Sequence, residues 1–244
     1  IKMSKVLLEI AAFNIEAALN ALAAGTDRIE FCENPMEGGT TPSYGSLKTL
    51  IHKTKTPVFP IIRPRGGDFL YSDDEFDSMK SDLLLVKDLG YPGAVIGLLK
   101  KDGHIDFDRT AALVSVAGNM EITFHRAFDR CIDPLKGLED IIQTGCKRIL
   151  TSGQVPHVSN ALPLITQLVN NANGRIIIMP GSGVRANNIA DIISSTGVME
   201  IHSSARKNYP SKMLFSPASM QEQMMFTGID EAEIMAMKKA ITAL

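Results

Sequence analysis

Residues 6–31 read VLLEIAAFNIEAALNALAAGTDRIEF, and this stretch decides the fold. VLLEI (6–10) and RIEF (28–31) are short β-forming runs, while NIEAALNALAAG between them has helical spacing, with Asn14 placed to cap its start and Gly25 to end it. Two strands joined by a helical crossover lie parallel in one sheet, with right-handed connection.

The unit repeats along the chain. Further strands are predicted at VFPII (58–62), GAVIG (93–97), EITF (121–124), RILT (148–151), IIIMP (176–180) and MEIH (199–202), with helical patterns between them. Ser72 and Glu75 form a capping box for a helix running to about Lys87, and Asp133-Pro134 opens LKGLEDIIQTG. Eight strand–helix units predict an α/β fold closed as a single (β/α)8 TIM-type barrel over 1–244. A doubly wound sheet would need its phosphate fingerprint in the first βα turn, where the chain has IAAFN without a glycine pair. The segment 208–244, rich in methionine (Met213, Met220, Met224, Met225, Met235, Met237), is expected to supply closing helices with methionine as core filler.

Composition narrows the partners. A formal net charge of -2 gives no basic stripe for nucleic acid or an anionic membrane, and no apolar run has the length of a membrane span. Cys32, Cys131 and Cys146 make neither an even disulfide framework nor a CxxC pair, so reduced thiols and a cytoplasmic home are expected. Met3 reads as a natural start, and a homo-oligomer is allowed on general grounds only.

Side chains alternate along a barrel strand between the helix layer and the interior. Leu8, Ile10, Ile29, Phe31, Met199 and Ile201 take the helix side, which turns Glu9, Glu30, Cys32, Glu200 and His202 inward, and the same parity turns Arg63 and His125 inward. Buried charges must pair, so a structural ion network competes with a functional one for Glu9 and Glu30. Arg63, His125 and His202 stand at strand C-termini, where barrel enzymes hold their chemistry. In IIRPRGGDF (61–69), Arg63 is expected as countercharge to Glu9, Glu30 or Glu200, Arg65 as a ligand contact at the rim, and Asp68 and Phe69 as a lid hinged on Gly66-Gly67.

MPGSGVRANN (179–188) follows the seventh strand and HSSARKN (202–208) the eighth. Gly181 and Gly183 let backbone N–H groups approach an anion, and Ser203, Ser204 and Arg206 add donors.

Together EGGTTPS (37–43), IRPRGGDFLYS (62–72), TFHRAFD (123–129), LTSG (150–153), MPGSGV (179–184) and EIHSSAR (200–206) resemble the CutC family, associated with copper homeostasis. The resemblance implies a (β/α)8 barrel and copper, Cu(I), bound at the barrel mouth, with Cys32 the metal ligand. Soft thiolate and thioether donors suit Cu(I), and Cys131 and Met36 are the candidates to complete such a site, while Cys146 precedes strand six on the opposite face. Ser182 departs from a loop that is usually all glycine in relatives and is expected to narrow an anion site slightly.

Two functions follow. One is a cytosolic CutC-like copper homeostasis protein. The other is a lyase- or isomerase-type barrel enzyme for a small anionic or phosphorylated substrate, with Glu30, His125, Glu200 and His202 catalytic and Arg63 and Arg65 clamping the anion. No lysine ends a strand, which argues against Schiff-base chemistry.

Overall fold

Each apolar run forms a short strand whose alternate residues feed two separate interiors. In the computed structural model, which describes residues 6–217, 219–221 and 224–244, the strands are β1 (Leu7–Ala12), β2 (Arg28–Phe31), β3 (Val58–Pro60), β4 (Gly93–Ile96), β5 (Glu121–Phe124), β6 (Arg148–Thr151), β7 (Ile177–Pro180) and β8 (Glu200–Ser203). The helices are α1 (Ile15–Ala23), α2 (Tyr44–Ile51), α3 (Asp73–Asp88), α4 (Phe107–Ala117), α5 (Pro134–Thr144), α6 (Leu162–Ala172) and α7 (Ile189–Thr196). Met3 lies outside the described residues.

The strands pair in parallel in the orders β3-β2-β1-β8 and β4-β5-β6-β7. A parallel bridge between Ile61 and Val95, with Ile62 N–H donating to Val95 O at 2.8 Å, joins the two halves at β3 and β4. At the other seam β7 lies beside β8, and the chain is a (β/α)8 barrel.

Capping follows the sequence reading. Asn14 accepts from Ala17 N–H, Ser72 and Glu75 close a reciprocal capping box, and Asp133 accepts from Leu135 and Lys136 N–H.

Leu8, Ile10, Ile29, Phe31, Phe124, Ile149 and Ile201 are fully buried against the helices. Each such side chain contributes roughly 1.5–3 kcal/mol through burial, which fixes the strand register and forces the alternate residues inward. Met199, expected on the helix side, precedes β8 and is 41% exposed.

The C-terminal segment differs from the expectation of closing helices. Strand β9 (Arg206–Pro210) pairs antiparallel with β10 (Met225–Ile229), and one helix, α8 (Glu231–Thr242), follows. Because a hairpin has no second layer to cover it, Met213, Met220, Met224 and Met225 are exposed; only Met237 of that methionine set is fully buried.

Candidate functional site

The inward residues stack in layers. In the lowest layer Arg28 pairs with both Glu9 and Glu200, and Arg148 reaches Glu200 at 2.9 Å and Glu121 at 2.7 Å. Both guanidinium groups also lie over the Phe59 ring, at 5.1 and 5.3 Å from its centre. Glu200 therefore sits beneath the cavity, locked by two arginines, and is not among the residues that line the mouth. Arg28 and Arg148 are the countercharges that sequence reasoning missed. Each opens a strand at inward parity, two residues before Glu30 in RIEF and at the head of RILT, and a charged residue there was the available signal.

Arg63 is not that countercharge. It stands too high, and its guanidinium donates to backbone carbonyls: Glu37 O at 2.6 Å, Gly39 O at 2.9 Å and Gly67 O at 3.1 Å. With Arg63 N–H donating to Thr41 Oγ1 at 2.9 Å, it laces the EGGTTPS and RPRGGD loops together. Arg65 points away from the mouth, pairing with Glu75 at 2.6 Å and Asp68 at 2.9 Å and donating to Leu70 O. Proline at 64 holds the two arginines on different sides of the turn, so Arg65 cannot clamp a ligand in the barrel.

The middle layer carries the titratable groups. His202 Nδ1 lies 2.8 Å from Glu9 Oε1, and its Nε2 lies 3.8 Å from Glu30 Oε2. Burial alone would raise the Glu9 pKa, but the charge of Arg28 and the His202 contact outweigh it and hold the carboxyl at about 2. Burial raises Glu30, and the neighbouring Glu9 charge adds to it. Burial would lower His202, yet its bond to Glu9 and the Glu30 charge raise it. Glu9 is thus a fixed anion orienting an imidazole toward a carboxyl group that readily holds a proton.

Across the barrel, His125 ends β5. Its Nδ1 accepts the Ala127 N–H at 3.0 Å, so the ring is neutral with its proton on Nε2, and that buried Nε2 has no protein partner. Burial, then the charge of Arg63, push its pKa down to about 3. Two glycines make room for the imidazoles: a Cβ on Gly97 would fall 2.3 Å from the His125 ring, and one on Gly181 would fall 3.2 Å from His202 Cδ2. Gly181 is a seat for His202 rather than an anion contact, since its own N–H donates to Thr151 O at 2.9 Å.

Above these groups opens a cavity of about 1090 Å³ at the C-terminal ends of the strands, bordered by Glu30, His125 and His202. Arg63, Lys100, Lys101, Arg126, Arg130, Arg185 and Arg206 face it against only three carboxylates, Glu30, Glu37 and Asp68. The cationic mouth contrasts with a chain of net charge -2. Arg126 is held at the rim by Asp129 at 2.8 Å and Ser152 Oγ at 3.0 Å, which ties TFHRAFD to LTSG.

Gly183, Ser203, Ser204 and Arg206 all border the cavity. The N–H groups of Ser182, Gly183, Val184 and Ser204 find no acceptor among the described residues. Ser182 takes a left-handed φ of 76° and turns its hydroxyl to Pro156 O at 2.7 Å, while Gly183, at φ 75°, leaves space that a Cβ would lose to His157.

A match to the CutC family covers residues 6–207. This chain belongs to the CutC family. A CutC-family protein of Proteus mirabilis is 51% identical over 213 residues, 87% of this chain and 84% of that one. Another from Erwinia tasmaniensis is 44% identical over 243 residues, covering 97% and 96%. The crystal structure of a Streptococcus agalactiae CutC, whose name attaches it to copper homeostasis, superposes with a TM-score of 0.77 at 35% identity, covering 82% of this chain and 98% of that one.

The copper expectation attached to the CutC name meets a donor set that does not suit it. Cys32 is inward, as parity requires, but it is packed with Phe59, Ile61 and Val95 and does not border the cavity. Burial, then the Glu30 charge and the thiol's bond to Glu30, raise its pKa well above the ordinary thiol value, so no thiolate is offered. Cys131 belongs to the helix-side core beside Gly137 and Phe128, and Met36 is 93% exposed. Cys146 is buried beside Thr144, remote from the mouth. Among the described residues no group of three or more His, Cys, Asp and Glu is arranged to hold a metal ion. Cu(I) needs a second soft donor, and Cys32 has none at hand.

Proposed function

We propose that this CutC-family barrel binds a small anionic organic molecule at its C-terminal mouth and performs acid–base chemistry on it. The observation that carries the reading is the cavity itself: seven cations against three carboxylates, set above Glu30, His125 and His202. Arg206 and the N–H groups of Gly183, Val184 and Ser204 form the anion-holding side, with Ser203 Oγ fixing the loop through its bond to Val184 O at 2.9 Å. His202 Nε2 faces Glu30 at 3.8 Å, Glu9 orients His202, and Arg63 keeps the loops over the site.

Copper, which the resemblance implies, finds one protonated thiol and no second soft ligand among the described residues. The cytoplasm is our assignment of location, supported by three free cysteines; among the described residues no helix is long and apolar enough to cross a membrane.

Calorimetric titration with inorganic phosphate tests the reading. Saturable binding at one site, weakened about tenfold or more in Arg206→Met, is the expected result. No saturable binding, or binding indifferent to Arg206, would overturn it.

A further inference from the structure

A buried hydrogen-bond donor without an acceptor is costly and calls for an explanation. His125 Nε2–H is such a donor. Its tautomer is fixed from behind by the Ala127 N–H on Nδ1, its ring is backed by Gly97, and Phe69 lies over it with ring centres 5.0 Å apart. The ring borders the cavity. Glu30 borders it from β2, three strands round the barrel from β5, beside His202.

The usual covalent nucleophiles are poorly placed around the cavity. Cys32 lies outside it, Ser203 Oγ is committed to Val184 O, and the two lysines that reach it, Lys100 and Lys101, are exposed at the rim. What it offers is a neutral imidazole at the end of β5 and a carboxyl group on β2, both bordering the cavity.

We propose that the site transfers a proton next to a carbonyl group of a phosphate monoester, with His125 Nε2–H hydrogen-bonded to the carbonyl oxygen and Glu30 as the base. This rests on the anion-binding reading above. In the step, a Glu30 carboxylate oxygen takes a proton from the carbon beside the carbonyl. The C–H electron pair becomes the C=C bond, and the carbonyl π pair moves onto oxygen, where the His125 N–H stabilises the enolate. Return of the proton from Glu30 to either carbon of the double bond completes an exchange or an isomerisation, with no oxidant, reductant or leaving group required. A neutral imidazole is the suitable donor, because it can polarise the oxygen without surrendering its proton to it.

The test is hydrogen–deuterium exchange. Three- to six-carbon aldose and ketose phosphates are incubated with the protein in D2O, and loss of the proton beside the carbonyl is followed by 1H NMR. At least one compound should exchange, about 100-fold more slowly with His125→Gln and at least 1000-fold more slowly with Glu30→Gln, while both variants still bind inorganic phosphate. Phosphate binding without exchange of any compound would overturn this inference alone; absence of phosphate binding would overturn the reading beneath it. Should His125→Gln fail to fold, 15N NMR of the wild type decides. A His125 ring holding the Nε2–H tautomer from pH 4.5 to 8 supports the proposal, and an imidazolium titrating near neutrality would overturn it.

Discussion

Glu9 Oε1 lies 2.8 Å from His202 Nδ1, at the junction between the ion pairs that fill the barrel and the groups that face its mouth. The same carboxylate pairs with Arg28 below, so one fully buried residue serves both stability and the site. Glu9→Gln should cost about 3–5 kcal/mol in urea unfolding, because Arg28 loses a partner in a buried pair. It should also lower the His202 pKa, read by NMR titration. A small loss with an unmoved His202 would show that the carboxylate orients nothing.

His125 predicts a pH dependence with a definite sign. Its folded pKa of about 3 lies below the ordinary 6.5, so the unfolded chain binds the extra proton in that window and stability falls as pH falls through it. Between pH 6.5 and pH 5 this contributes a loss of about 2 kcal/mol. The loss should be absent from His125→Gln, so that the stability difference between wild type and variant in chemical denaturation changes by that amount between the two pH values. Parallel pH profiles would contradict a neutral buried imidazole.

The arginines should fail differently. Arg28→Met strands Glu9 and should cost about 3–5 kcal/mol. Arg65→Met removes a pairing 40% exposed on the arginine side and should cost under about 1 kcal/mol, leaving phosphate affinity intact. Equal losses in thermal melts would refute this division.

Gly97→Ala places a methyl group 2.3 Å from the His125 ring. The ring must move, at a cost of about 1–3 kcal/mol, and the shift should be visible in its NMR signals. An unperturbed His125 spectrum would argue against the close fit.

Cys32→Ser should leave Cu(I) affinity unchanged in anaerobic competition with a bathocuproine chelator, since the thiol is buried, protonated and without a soft neighbour. A tenfold advantage for the wild type would reinstate copper at this position.

The barrel was legible because its signals are local. Asn14, Ser72 and Asp133 cap helices that the periodicity had already placed, and parity alone turned Glu9, Glu30, Cys32 and His202 inward. Pairing was less legible, because parity states which side a residue takes and not its height along the barrel. Arg28 and Arg148 share the level of Glu9 and Glu200, whereas Arg63 stands at the rim among carbonyls. Arg65 was misplaced for a related reason: its partner Glu75 belongs to a capping box, and nothing in the local sequence says that the guanidinium will turn toward it. The C-terminal hairpin escaped because its methionines carry no period that separates a strand from a helix.

In the proposed function the β7 and β8 loops and the cavity beneath them form an anion site. Two-dimensional 1H–15N NMR of the protein titrated with inorganic phosphate tests it most directly. The amides of Ser182, Gly183, Val184 and Ser204 should shift together with one saturating dependence on phosphate. Shifts scattered over exposed lysines, or none in these four amides, would contradict it.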